Sequence, residues 1–513
     1  MSGATTSAPA IELVGIDKSF GSVRANRNVN LTVAKGQVHG IVGENGAGKS
    51  TLMSILYGFY EADRGEIKVD GRPIRITNSQ IAIKAGIGMV FQHFMLVEEL
   101  TVLDNVMLGI EGGALLAEGA GRARAALASF DKDYGLAIDP QTRVGDLSVG
   151  QQQRVEIVKA LYRGANVLVL DEPTAVLTPA EANALFKLLG ALKAQGKTII
   201  LITHKLQEIM AATDRVSVMR QGEIVATMDT AQTSPRELAA LMVGREVLLR
   251  VEKEARQPGA PVLEVSGLSV VDERGVTRLD TVSFAMREGE IVGVAGVAGN
   301  GQSELLAALA GIVAPSAGTV ALAGQVLDSA SFNPRELRRR GLLHVPEDRL
   351  RMGLVPPFPA FESAALGFTH EERYGKGPLF DRAAMIGDLN LRMRDYDVRP
   401  RDPLLKTSKF SGGNQQKIVL AREIERSPMV LLVGQPTRGV DIGAIEFIHR
   451  RLVALRDAGV AILLVSVELE EIMSLSDRIL VMCGGRITGE RRPEATDARD
   501  LGLLMAGVTG EAA

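Results

Sequence analysis

Cysteine is nearly absent: Cys483 is the single one in 513 residues. That excludes a disulfide framework and suits a reducing compartment. Cys483 ends the apolar run Ile479 to Met482, a place for a buried structural thiol rather than a nucleophile. An excess of one charge is also missing. With 58 basic against 61 acidic residues, the net charge is −3, which gives no basic field for nucleic acid and no acidic tail. No apolar run approaches the roughly 18 residues of a membrane span. The first ten residues, small and polar, lack the basic start and apolar core of a signal peptide. The expectation is a soluble cytosolic protein, or one that docks on something else. At roughly 100–200 residues per domain, the length leaves room for two to four domains.

What the chain does contain is a phosphate-binding loop. Gly43, Glu44, Asn45, Gly46, Ala47, Gly48, Lys49, Ser50 and Thr51 fit the pattern G-x-x-x-x-G-K-[ST]. Val38 to Val42 reads as a buried strand before it, and Leu52, Ile55, Leu56 and Phe59 follow at helical spacing. Glycines let consecutive N–H groups converge on a phosphate, and the helix N-terminus adds its positive dipole. Lys49 then bridges the outer phosphates, and the Ser50 hydroxyl holds Mg²⁺. A second buried run, Val167 to Leu170, ends in Asp171-Glu172. Strand ends gather ligands in open α/β sheets, so Asp171 is placed to hold Mg²⁺ and Glu172 to polarise an attacking water. The next strand, Thr198 to Thr203, runs into His204, which is placed to touch the γ-phosphate.

Strand and helix patterns alternate from Ile11, with a turn at Phe20-Gly21, to about Gly244, which predicts an α/β fold with a largely parallel sheet. The pattern then begins again. VLVLDEPT from Val167 is echoed by VLLVGQPT from Val430, and DRVSVM from Asp214 by DRILVM from Asp477, both 263 residues on. The phosphate loop is echoed 253 residues on, from Gly296 to Ser303. A unit of this length is a duplicated domain rather than a solenoid repeat. The reading is a tail over 1–10, a first domain over 11–245, a charged linker over 246–261, a second domain over 262–507 and a tail over 508–513.

These motifs together resemble an ATP-binding cassette (ABC) protein with two cassettes on one chain, over nearly everything from Ile11 to Gly507. The resemblance implies two tandem P-loop NTPase domains, each with a mainly parallel sheet core, an antiparallel β subdomain and a helical signature subdomain. LSVGQQQ, with Ser148, Gly150 and Gln151, resembles the family signature with Val149 in place of a glycine. Gln92 stands where the family has its Mg²⁺- and water-sensing glutamine. Phe20 stands where an aromatic stacks on adenine, with a core phenylalanine as the rival reading. Thr178 replaces the family's second-sphere aspartate. His93 to Leu96, and Met352 to Val355 in the second half, fall near the family's membrane partner, with ordinary core packing as the rival.

The second half departs from the pattern. Gln302 stands for Lys49 in a loop that keeps Gly296, Gly301 and Ser303. Gly434-Gln435 replaces Asp171-Glu172, Val467 replaces His204 and Glu347 replaces Gln92. Its own signature, with Ser411, Gly412, Gly413, Asn414 and Gln415, keeps both glycines. In the family each ATP lies between one cassette's loop and the other's signature, so the resemblance implies one sound composite site and one degenerate one. The charge run Arg335 to Arg340 reads as a solvated helix face.

Tandem cassettes without membrane spans resemble either the energy module of a membrane importer or a soluble ribosome-acting protein. The latter class carries two intact sites, a long charged linker and a basic surface, and a DNA-repair ATPase of the superfamily carries zinc-binding cysteines. None of these is here. The importer resemblance implies ATP and Mg²⁺, two separate permease subunits, an extracytoplasmic solute-binding protein, no nucleic acid, and a place on the cytoplasmic face of the membrane. LSVGQQQRVEIVKALYRGA, GVAGNGQSEL, HVPEDR and QPTRGVDIGAIE resemble the nucleoside branch more than the ribose or galactose branch.

Overall fold

The computed structural model describes residues 8–21, 23–91, 94–110, 116–136, 138–174, 177, 179–246, 253–297, 299–328, 332–375, 379–440 and 442–508. Gln92, His93 and Thr178 lie outside them. The chain divides into two units, Met1–Val247 and Leu248–Ala513.

In the first unit, β1 (Ile11–Phe20) and β2 (Val23–Val33) form the hairpin expected at Phe20-Gly21. Two further strands, β4 (Arg64–Val69) and β5 (Arg72–Ile74), complete an antiparallel sheet in the order β2-β1-β4-β5. The second sheet holds β3 (Val38–Val42), β6 (Ile87–Val90), β7 (Val167–Asp171), β8 (Thr198–Ile202), β9 (Arg215–Arg220) and β10 (Glu223–Asp229). Its order is β10-β9-β3-β8-β7-β6, parallel except for the β9–β10 hairpin. β3, β7 and β8 are buried along their whole length, which is why they read as mostly apolar runs. Their side chains still alternate. Leu168, Leu170, Ile199 and Leu201 join the core under the helical side. Val167, Val169, Ile200 and Ile202 join the core under the antiparallel sheet.

The second unit repeats this plan. An antiparallel sheet runs β12-β11-β14-β15, from β11 (Pro261–Val271), β12 (Thr277–Arg287), β14 (Ala317–Leu322) and β15 (Gln325–Val326). The central sheet runs β16-β17-β18-β13-β19-β20, from β13 (Ile291–Ala295), β16 (Leu342–Val345), β17 (Val430–Gly434), β18 (Ala461–Val465), β19 (Arg478–Cys483) and β20 (Arg486–Arg491). The repeat holds to the register. Ile41 and Asp171 both pair with Ile202, while beyond Val294 and Gly434, both level with Val465, the second half has the same geometry.

Four details differ from the sequence reading. The loop helix ends at Tyr57 with a left-handed Gly58, so Phe59 lies past it and is exposed. The linker is anchored on its C-terminal side: Lys253 donates to the Leu475 and Ser476 carbonyls, and Arg456 donates to the Glu254 carbonyl. Arg335 and Arg339 are exposed, but Arg338 turns inward, 4.7 Å over the Phe368 ring and 3.4 Å from the fully buried Glu423. Cys483 is only partly buried.

Candidate active site

The shared register brings the C-terminal ends of β3, β7 and β8 to one level, so three connections meet there. The first is the loop from Gly43 to Gly48, leading into the helix Lys49–Tyr57. Gly46 and Gly48 have φ of 85° and 101°, a left-handed backbone that favours glycine. A Cβ on Gly48 would overlap the Ala25 carbonyl, and one on Gly43 the Met219 carbonyl, whereas Gly46 has open space around it. Buried Asn26 donates to the Gly48 carbonyl at 3.1 Å and pins the loop to β2. Lys49 is 6% exposed, and its Nζ donates to the carbonyls of Gly43 (2.7 Å) and Glu44 (3.1 Å). Burial holds its pKa below the ordinary lysine value, opposed by Glu172, Asp171 and Glu44.

The second connection carries the carboxylates. Burial raises the pKa of Asp171, and a hydrogen bond from Ser50 and the charge of Lys49 oppose it. Its Oδ1 is buried without a hydrogen-bond partner, so the Ser50–Asp171 pair has an oxygen to offer a hard cation. Glu172 has φ of 48°, and its N–H is tied to the Ile202 carbonyl at 2.8 Å. From the third connection, His204 Nδ1 lies 2.8 Å from Glu172 Oε1. An ionised carboxylate only accepts, so Nδ1 carries the proton and Nε2 is left for another partner. Burial pushes the Glu172 pKa up, but the His204 bond and the charges of His204, Lys49 and Lys205 outweigh it, and the net shift is downward. A carboxylate kept ionised beside a histidine and a lysine is suited to accept a proton.

Two residues that the motif reading passed over hold this geometry. Buried Glu208 accepts from Thr174 Oγ1 and, at 2.9 Å, from Thr203 Oγ1, joining the segment after Glu172 to the one before His204. Buried Gln153 donates to the Pro173 carbonyl at 2.7 Å. Only the fold shows which backbone each side chain faces; the one sequence signal is Glu208's place four residues after His204.

Phe20 is 43% exposed, so it is not a core residue; it packs edge-on against Tyr60 with centroids 5.0 Å apart. The signature helix Val149–Tyr162 is capped by a Ser148–Gln151 capping box, and Val149 is exposed. In the second unit, Ser411 caps the helix Gly412–Ile424 and is exposed, with Asn414 Nδ2 donating to its Oγ at 2.8 Å. Gln415 is turned inward, its Nε2 on the Thr407 carbonyl at 3.1 Å.

The degenerate loop, before the helix Gln302–Leu309, is held by its own side chains and by Asn300, whose Oδ1 accepts from Gly484 N–H at 3.0 Å. Gln302 Nε2 donates to the Val297 carbonyl at 3.2 Å, and Gly296 leaves room for that amide. Gln435 keeps the backbone of Glu172, with φ of 47° and its N–H on the Val465 carbonyl. Its Oε1 accepts from Val467 N–H at 3.3 Å, where the first unit has the His204 ring. Ser303 Oγ donates to Glu347 Oε2 at 2.6 Å, and Gly434 is small because a Cβ there would stand 2.5 Å from Glu347 Cγ.

A family profile described as ABC transporter matches residues 26–175 and 279–438. The chain is 47% identical to the guanosine import ATP-binding protein NupO of Bacillus subtilis, over 97% of this chain and 98% of that one. It is 45% identical to the nucleoside import ATP-binding protein NupA of Lactococcus lactis, over the same shares. The glucose import ATP-binding protein TsgD13 of Haloferax volcanii is 44% identical, over 98% of this chain and 96% of that one.

Proposed function

Because this chain belongs to the ABC transporter family of ATP-binding proteins, we propose that it is the ATP-hydrolysing subunit of a membrane importer for nucleosides. The observation that carries the ATPase reading is the one-sided assembly of Lys49, Asp171, Glu172 and His204 at the C-terminal ends of β3, β7 and β8, with Gln302, Gly434, Gln435 and Val467 at the equivalent positions of the repeat. The nucleoside reading is supported by full-length similarity to nucleoside importers and by the residue runs quoted above. A monosaccharide is the second reading, favoured by the similarity to a glucose importer.

In this reading the triphosphate lies on the N–H groups of Gly46 to Ser50, with Lys49 leaving its two carbonyl partners for the outer phosphates. The Ser50 hydroxyl and Asp171, with Gln92 as a further expected ligand, would hold Mg²⁺, which supplies charge neutralisation on the phosphate oxygens. Glu172 takes the proton of the attacking water, and His204, donating from Nδ1, keeps its carboxylate aimed. As the family resemblance implies, Ser411, Gly412 and Gly413 would supply the signature contact to the nucleotide. Positioning and charge stabilisation carry the rate.

No helix among the described residues is long and apolar enough to cross a membrane. In this reading the transport path belongs to partners: permease subunits, expected to be two separate chains, and a solute-binding protein. Docking on the permease would place this chain at the inner face of the membrane. The test is uptake of labelled guanosine and labelled glucose by cells making the wild-type chain or Glu172→Gln. Loss of the general base lowers turnover by about 10²–10⁴, so guanosine uptake should vanish while glucose uptake stands. Loss of glucose uptake alone would move the solute to sugars. Unchanged uptake of both would overturn the importer reading.

A further inference from the structure

The signature of the second unit is held from behind by one side chain. Arg349 opens the π-helical turn Arg349–Gly353, directly after Glu347 and Asp348. Its Nε donates to Gln415 Oε1 at 3.3 Å and its Nη1 to the Arg438 carbonyl at 2.8 Å. A Cβ on Gly412 would stand 2.6 Å from Arg349 Nη2 and 2.8 Å from the Gly439 carbonyl. One guanidinium thus joins three segments: the turn after β16, the first turn of the signature helix, and the loop after β17. A planar fork with several fixed donors is suited to this, and a point charge is not.

The contrast with the first unit explains a difference in sequence. Val149 stands where the second unit has Gly412, and it is 40% exposed. Over Gly412 the place of a side chain is taken by Arg349 and the Gly439 carbonyl, so none fits there. On the far side of the same turn, Leu350 and Met352 are 46% and 49% exposed. The turn therefore exposes Leu350, Arg351 and Met352, while Arg349 locks it to the signature.

We propose that Arg349 is a positioning residue that sets the angle of the Ser411-Gly412-Gly413 turn and ties it to the outward-facing Leu350–Met352 turn. This rests on the reading that this signature completes the ATP site of the first unit. The fork holds Gln415 from one side while the Thr407 carbonyl holds it from the other, so the first turn of the helix cannot swing without breaking one of them.

The test measures kcat and KM for Mg-ATP hydrolysis with the full chain and four variants: Arg349→Ala, Arg349→Lys, Ser411→Ala, and Arg349→Ala with Ser411→Ala. Arg349→Ala is expected to lower kcat about tenfold or more with KM within about threefold, since ground-state binding stays with the Lys49 loop. Arg349→Lys should recover only part of the loss. The double variant should be no slower than Ser411→Ala alone, because both changes act on one contact. A merely structural role would instead give multiplying losses and a KM that moves with kcat. Wild-type kcat in Arg349→Ala, or multiplying losses in the double variant, overturns the proposal. If Ser411→Ala itself kept wild-type kcat, the composite-site reading would fall, and that outcome is distinct from failure of Arg349 alone. Should Arg349→Ala not fold, Arg349→Lys and its double variant with Ser411→Ala carry the same comparison.

Discussion

Glu172 is held in a left-handed backbone conformation, which costs a non-glycine residue roughly 1–2 kcal/mol. The bond from its N–H to Ile202 and the contact with His204 hold it there. His204 also decides the acid limit of the site. Its bond and charge keep the Glu172 pKa below the ordinary value against the upward push of burial. A base works above its pKa, so removing the partner that depresses it moves the limit upward. In His204→Ala the acid limb of a kcat/KM profile should shift to higher pH; an unmoved limb would detach His204 from the tuning of the base. The two glycines with left-handed backbone separate strain from collision. Gly46→Ala meets nothing within 4 Å and adds backbone strain alone, whereas Gly48→Ala also meets the Ala25 carbonyl. ATP binding measured by titration calorimetry should weaken modestly in the first and be lost in the second.

β3 is apolar at every position but one. His39 is fully buried, with Gln37 Nε2 donating to its Nδ1 at 3.2 Å and its Nε2 3 Å or less from Ser217 Oγ, at 2.8 Å. The ring is therefore neutral with its proton on Nε2. Burial, aided by Arg215, lowers its pKa from 6.5 to about 4. The unfolded chain takes up a proton near pH 6.5 that the folded chain refuses until about pH 4. Stability is therefore full above pH 6.5 and declines between those limits as the pH falls. Each pKa unit is worth about 1.4 kcal/mol, so the decline from this one group is about 3 kcal/mol. His39→Val should flatten the slope of the urea midpoint between those limits. An unchanged slope would assign the acid sensitivity to other groups.

At the scale of the whole chain, duplication has kept the frame and divided the chemistry. β13, β17 and β18 keep the register of β3, β7 and β8, and Gln435 keeps the backbone of Glu172, yet the side chains there bond inward. One hydrolysable ATP per chain is the expected stoichiometry. Counting nucleotide in trapped Glu172→Gln against turnover in wild type measures it, and two ATPs turned over per chain would sink the asymmetric reading.

The duplication, the α/β class and the phosphate loop were legible in the residues, because each rests on local rules: buried strands must be apolar, and a loop that wraps phosphate needs glycine. The unequal halves were legible too, since a missing lysine or carboxylate is visible without coordinates. What the tertiary structure alone decided is who faces whom. Glu208 reaches Thr174 and Thr203, Arg349 fills the space over Gly412, and Arg338 leaves its charged neighbours for the Phe368 ring. These contacts join segments far apart in the chain or turn one side chain of a run inward. Spacing along a sequence fixes which face of an element a residue occupies, but not what the fold brings up against that face.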